Sequence, residues 1–233
     1  MIEINTDYQF IPPYPIMIIL SLITGILMMY FLNRKNQIQK NVAGYLCMLA
    51  PMMSLFFGLL LTYITSGGQY FGLSSLGGLI GMYSAVLIMA LISPQTGTLR
   101  IMMKNCTLVL PLIYSISKIG CLSAGCCRGI SYHGAFCIHY TGIETEPAFV
   151  FPVQLTETLV FLIIFLMGLI LEKKHQHPVW IVFIFSASAK FLLDFLRESH
   201  ANQILSFTQI LCLVLILIGF FLYFKNRKSK AQT

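Results

Sequence analysis

Residues 204–224 read ILSFTQILCLVLILIGFFLYF. After Gln209 the run has no charged side chain and nothing more polar than Cys212, Gly219 and Tyr223. A bilayer-spanning helix needs about 20 mostly apolar residues, so this stretch is long enough to cross. Six further runs of the same kind lie upstream, at about 14–32, 43–64, 78–93, 105–123, 154–171 and 178–196. The third is short and glycine-rich (Gly77, Gly78, Gly81), which points to a tilted or broken span. None of the seven shows the alternation of a transmembrane β-strand. Charged residues make up 10% of the chain and the mean hydropathy is +0.81. A soluble domain carries roughly 25% charged residues, so a soluble globular fold is excluded. The expectation is an all-α, polytopic membrane protein with seven transmembrane helices, residues 1–233 forming one membrane domain.

The net charge of +7 does not point to nucleic acid, because the basic residues fall in short clusters between apolar runs. Arg34, Lys35 and Lys40 follow the first run, and Arg100 and Lys104 the third. Lys173 and Lys174 follow the fifth, and Lys225, Arg227, Lys228 and Lys230 the seventh. The opposite segment ends carry only Arg128 and Arg197. Positive-inside placement predicts the N-terminus out and the C-terminus in. The acidic start (Glu3, Asp7) agrees and lacks the basic region of a cleaved signal peptide. Residues 124–153 are the longest stretch between spans and are expected to form a small extracytoplasmic cap.

Lys118 and Lys190 lie inside apolar runs, five or six residues from their outer ends. A lysine at mid-bilayer costs on the order of 2.5–3.5 kcal/mol, less when it snorkels toward the headgroups. Snorkelling accounts for each lysine separately. It does not account for the other polar residues at the same depth. Lys190, Asp194 and Arg197 stand at i, i+4 and i+7, on one face of a helix, where Asp194 can pair with both cations. Gln154 and Glu157 stand at i and i+3 at the start of the fifth run. Several cations converging near the outer leaflet fit an anionic lipid headgroup, with phosphate as the natural ligand.

Cys47, Cys106 and Cys212 lie in or at the ends of the runs and read as packing residues. Cys121, Cys126, Cys127 and Cys137 cluster after the fourth run as C-x4-C-C-x9-C, which matches no common zinc pattern even with His133 and His139 nearby. No metal is expected. A disulfide from Cys137 to Cys126 or Cys127 suits the outer face. A reactive thiol at Cys121 or Cys126, beside Lys118 and Arg128, is the other reading.

Five stretches resemble one family in order. KIGCLSAGCCRG (118–129) is similar to the signature of prolipoprotein diacylglyceryl transferases, Arg-Ile-Gly-Asn-Phe-Ile-Asn-Gly-Glu-x-x-Gly. FPVQLTE (151–157) resembles the family's His-Pro-x-Gln-Leu-Tyr-Glu, and AKFLLDFLRE (189–198) its Arg-Phe-x-x-Glu-Phe-x-Arg. LGGLIG (76–81) resembles its His-Gly-Gly-Leu-Ile-Gly, and ILSFTQILCLVLIL (204–217) the Leu-Ser-x-Gly-Gln opening of its last span.

The resemblance implies an enzyme of the bacterial plasma membrane, working without a cofactor. It would move a diacylglyceryl group from phosphatidylglycerol to the thiol of a prolipoprotein, forming a thioether. Lys118 and Lys190 take the places of two family arginines and would hold the phosphate. Together with Glu157 and Arg197 they are the implied catalytic set. Gly120, Gly129, Gln154 and Asp194 fall on signature positions and Cys121 replaces the signature Asn. With Arg128, Gly77 and Gly78 they form the implied substrate-binding set. The family His before Gly-Gly-Leu is Leu76 here, which leaves His133 or His139 as candidate base. Thr156 and Phe151 replace a family Tyr and His. A non-catalytic lipid-binding protein on the same fold and a membrane thiol-redox protein are the alternatives. Complementation of a transferase-depleted bacterium separates the first, and thiol trapping the second.

Overall fold

The computed structural model describes residues 2–5, 13–69, 71–93, 97–141, 148–174, 178–200 and 204–231. Asp7 and positions 142–147 of the expected cap lie outside the described residues. Among those described, seven α-helices follow the seven apolar runs: α1 (Pro13–Lys35), α2 (Lys40–Thr65), α3 (Ser75–Ile92), α4 (Thr98–Ser123), α5 (Val153–Lys173), α6 (Pro178–Asp194) and α7 (Phe207–Ala231). Six are long and apolar enough to cross a membrane. The exception is α6, whose 17 residues span about 25 Å at the usual helical rise of about 1.5 Å per residue. The largest departures from the expected limits are α4, which begins at Thr98 and takes in Arg100 and Lys104, and α7, which runs on to Ala231.

Burial follows the logic of a membrane protein. Leu27, Phe31, Met48, Met52, Leu91, Ile163, Leu217 and Phe221 are exposed, while Asn33, Asn105, Lys118, Gln154, Glu157 and Gln209 are buried. Apolar side chains that face outward are stable only against lipid, and polar groups are tolerated where they find partners inside.

The chain forms two compact units, Leu22–Ile113 and Met1–Ser21 with Tyr114–Thr233. In the first, α2 and α3 pack at backbone distance. A Cβ at Gly77 would overlap the Phe57 carbonyl, and one at Gly81 the Met53 carbonyl. Gly77 and Gly78 thus lie in a glycine face of α3 that lets it approach α2, with Ser74 capping the helix through the Gly77 N–H (3.4 Å). The same unit buries a polar relay that sequence reading missed. Asn105 Nδ2 donates to Asn33 Oδ1 at 2.8 Å, Asn36 Nδ2 to Asn105 Oδ1 at 3.2 Å, and Lys104 Nζ to Asn36 Oδ1 at 3.4 Å. These bonds tie the end of α1 to the start of α4.

In the second unit a three-stranded sheet joins β1 (Ile2–Asn5), β2 (Ile138–Thr141) and β3 (Ala148–Val150) in that order, β1 parallel and β3 antiparallel to β2. Its core is Ile138, Tyr140 and Val150, with Ile4 and Leu122 against it. Below it, the loop after α4 is stitched on both sides. Gly129 bridges Arg197, with Glu198 N–H to the Arg128 carbonyl at 3.1 Å and Ile130 N–H to that of Leu196 at 3.0 Å. On its other side Phe151 N–H donates to the Ile130 carbonyl at 3.0 Å. Gly129 has to be glycine, because a Cβ there would meet the Phe151 carbonyl oxygen.

Candidate active site

Helix α4 presents Tyr114 and Lys118 one turn apart, on one face. They meet Glu157 from the first turns of α5, which is fully buried. Two polar crosslinks hold α4 and α5 in register: Ser115 Oγ donates to the Thr158 carbonyl at 2.9 Å, and Thr158 Oγ1 to that of Ser115 at 3.3 Å. Lys190 comes from α6. Arg197 comes from the segment after it and is placed by the Gly129 bridge.

All of these end on one carboxylate. Glu157 Oε2 is 3.1 Å from Lys118 Nζ and Oε1 is 3.2 Å from Lys190 Nζ. Arg197 NH2 donates to Oε1 at 2.6 Å and to Oε2 at 2.9 Å. The Tyr114 hydroxyl donates to Oε1 at 2.8 Å. The Tyr114 ring also lies under both ammonium groups, 5.0 Å from Lys118 Nζ and 5.5 Å from Lys190 Nζ. Both lysines therefore point inward to a common partner, and neither snorkels.

Asp194 pairs with both cations as its spacing suggests, 3.8 Å from Lys190 Nζ and 3.6 Å from Arg197 Nε. Those contacts are too long for hydrogen bonds, and its Oδ2 accepts one from Ser206 Oγ at 2.6 Å. Ser206 caps α7 in a reciprocal box. Its Oγ accepts from Gln209 N–H at 3.1 Å, while Gln209 Oε1 accepts from Ser206 N–H at 2.8 Å. His200 Nε2 meets that same oxygen at 2.7 Å. Ser206→Ala removes the cap and the Asp194 partner together. A loss of about 1 kcal/mol or somewhat more is expected, read by thermal unfolding in detergent, with Ser206→Thr restoring most of it.

Counted without the neighbouring Cys127 sulfur, three cations against two carboxylates leave these five side chains with one unit of positive charge. Arg197 Nε is buried and, among the described residues, has no hydrogen-bond partner. A site with surplus positive charge and an unused guanidinium donor is built to receive an anion. Glu157 itself is saturated. Its oxygens already accept from Tyr114, Lys118, Lys190 and Arg197, so it positions cations and has no lone pair left for a substrate proton.

The remaining predicted residues take other places. Gln154 is fully buried and braces the loop, donating from Nε2 to the Cys126 carbonyl at 2.9 Å and to the Tyr140 hydroxyl at 3.3 Å, while its Oε1 has no hydrogen-bond partner among the described residues. Burial pushes the Tyr140 phenol up to about 12, so it stays a neutral donor to the Leu122 carbonyl at 3.0 Å. Gly120 packs α4 on α1, where a Cβ would lie 2.8 Å from that of Met17. Arg128 turns back on its own loop, donating from Nε to the Gly125 carbonyl at 3.0 Å and lying over the Tyr140 ring. His139 stacks on Phe149 and meets Glu3 at 3.3 Å, and His133 is exposed beside the same ring. Among the described residues, no contact joins either histidine to Glu157 or its cations.

All seven cysteines are free, so the disulfide expected from Cys137 to Cys126 or Cys127 is not formed. Cys137 is fixed at the edge of the sheet, where its carbonyl accepts from Ile2 N–H at 3.1 Å. The close group is instead Cys121, Cys126 and Cys127, whose sulfurs lie within 4.8 Å of one another. Cys127 is the exposed member. Its thiol is held well below the ordinary value, first by hydrogen bonds from Cys121 and Cys126 and then by the charges of Lys118 and Arg197, against the opposing effect of burial.

No curated protein matches the chain. The sequence profile described as prolipoprotein diacylglyceryl transferase matches residues 7–225, nearly the whole length. With that profile, its apolar helices and its buried cation cluster, this chain belongs to the prolipoprotein diacylglyceryl transferase family, as a multi-pass membrane protein.

Proposed function

We propose that the protein transfers a diacylglyceryl group from phosphatidylglycerol to the thiol of a prolipoprotein, at the outer leaflet of the bacterial plasma membrane. In this reading the chain crosses seven times, N-terminus out and C-terminus in. Lys118, Lys190 and Arg197 hold the lipid phosphate. The acceptor sulfur attacks the glyceryl carbon bonded to phosphate, a thioether forms, and glycerol phosphate leaves with an added negative charge. Preorganised cations stabilise that charge as it develops. Arg197 supplies the planar donor fork, and the two lysines act as point charges. Glu157, Tyr114 and Asp194 position them. The observation that carries the reading is the convergence of three cations on one buried carboxylate, with Arg197 Nε free of hydrogen bonds among the described residues.

A lipid-binding protein without turnover is the second reading. It is favoured by the saturation of Glu157 and by Leu76 at the family's His position. Expression in a bacterium depleted of its own transferase distinguishes the two. Restored lipoprotein modification is expected. Full expression in the membrane without modification would overturn catalysis and leave lipid binding.

A further inference from the structure

The three clustered thiols lie beside the cation group, whose Lys118 and Arg197 charges act on Cys127. Their arrangement is built by the backbone. Cys121 leaves the last turn of α4, and the chain then reverses through Gly125 at φ +66 and Cys127 at φ +55. A left-handed conformation is uncommon for a residue with a side chain and persists only where its surroundings impose it. Here it brings two successive thiols to the same point as Cys121. Cys126 N–H donates to the Cys121 carbonyl at 3.2 Å, Cys126 Sγ approaches that carbonyl at 3.7 Å, and the buried Gln154 holds the Cys126 carbonyl at 2.9 Å. Zinc bound to thiolates at about 2.3 Å places its sulfurs about 3.8 Å apart. The three sulfurs lie within 4.8 Å of one another, about 1 Å wider than that spacing.

We propose that Cys121, Cys126 and Cys127 bind one Zn(II) ion as three thiolates, and that its fourth position takes the sulfur of the acceptor thiol. Three protein ligands and one open position are the pattern of a catalytic zinc. A thiol that coordinates such an ion is deprotonated. That supplies a deprotonated nucleophile where Glu157 has no free lone pair and, among the described residues, no histidine contacts the cluster. Lys118 stands one turn before Cys121, and the Gly129–Arg197 bridge sets Arg197 next to the Cys127 loop. The nucleophile and the leaving phosphate would therefore be neighbours.

The role in transfer rests on the transferase reading, whereas the metal site does not. In the step, R–SH binds zinc as R–S⁻ and its proton passes to water. The sulfur lone pair forms the S–C bond and the C–O bond to phosphate breaks. Its electron pair leaves with glycerol phosphate, and nothing is oxidised or reduced.

The test uses the full chain purified with phosphatidylglycerol. Wild type is expected to hold one equivalent of zinc. Cobalt(II) in its place should give sulfur-to-cobalt charge-transfer absorption. Cys126→Ser and Cys127→Ser should each weaken zinc binding at least tenfold, and chelation and reloading of the unaltered protein covers the case in which a variant fails to fold. A lipobox peptide with Cys should shift the cobalt bands, and the same peptide with Ser should not. Absent charge-transfer bands, zinc well below one equivalent after loading, or binding of Cu(I) alone would overturn the site. Identical spectra with both peptides, or undiminished turnover after zinc removal, would overturn its role and leave the transferase reading intact. A zinc-loaded protein that shows the thiol shift but no transfer supports the site and overturns the transferase reading.

Discussion

Glu157→Gln is expected to destabilise the protein by about 3–5 kcal/mol, the range for removing one partner of a buried ion pair. Glu157 is fully buried and receives Lys118, Lys190, Arg197 and Tyr114. Neutralising it leaves three cations facing Asp194 alone, in a region where bulk water does not screen them. The sign of the coupling is also defined. Lys118→Met in the wild type removes a partner from Glu157 and costs stability. In the Glu157→Gln background the same change removes an unpaired charge and restores part of what was lost. Unfolding in mild detergent with increasing denaturant measures all four proteins of the cycle. Additive effects would show that Lys118 does not act through Glu157.

The second large effect is on turnover. Lys118→Ala or Lys190→Ala is expected to lower transfer from phosphatidylglycerol to a thiol peptide by about 10²–10³, the loss typical of one preorganised donor to a developing anion. Each lysine holds only one contact to Glu157, while Arg197 holds two, so the fold keeps its bidentate anchor in either variant. The two changes are also expected to combine to less than the product of their separate effects, since both act on the same phosphate. The assay is single-turnover transfer in vesicles, with circular dichroism as the check on folding. Unchanged turnover in both variants removes the enzymatic account.

The sequence made the helices legible because a long apolar run has one outcome in a bilayer. It also marked the depth of the site, since Lys118, Gln154, Glu157, Lys190, Asp194 and Arg197 are costly there and share helix faces. Periodicity gives a face but not the partner across the gap. Asp194 is the near neighbour of Lys190 and Arg197 in sequence, yet both hydrogen-bond to Glu157 from another helix. Tyr114 was readable in principle, being one turn before Lys118, but a tyrosine on an apolar helix carries no signal of its own. The pairing of Ile2–Asn5 with Ile138–Thr141 was not readable, because a four-residue strand with so distant a partner leaves no local pattern. The cysteines were legible as a cluster, but not that three of their thiols meet, because the spacing fits no zinc pattern and the left-handed turn at Cys127 has no residue-type signature.

The proposed hold of the buried cations on the phosphate of an anionic lipid is read by equilibrium binding of a short-chain phosphatidylglycerol to the detergent-solubilised protein, with the matched phosphatidylcholine as reference. Wild type and Lys173→Ala, altered at the far end of α5, are predicted to prefer phosphatidylglycerol equally. The Lys118→Ala/Lys190→Ala double variant is predicted to lose that preference by at least tenfold while remaining folded. An unaltered preference in the folded double variant would contradict the account.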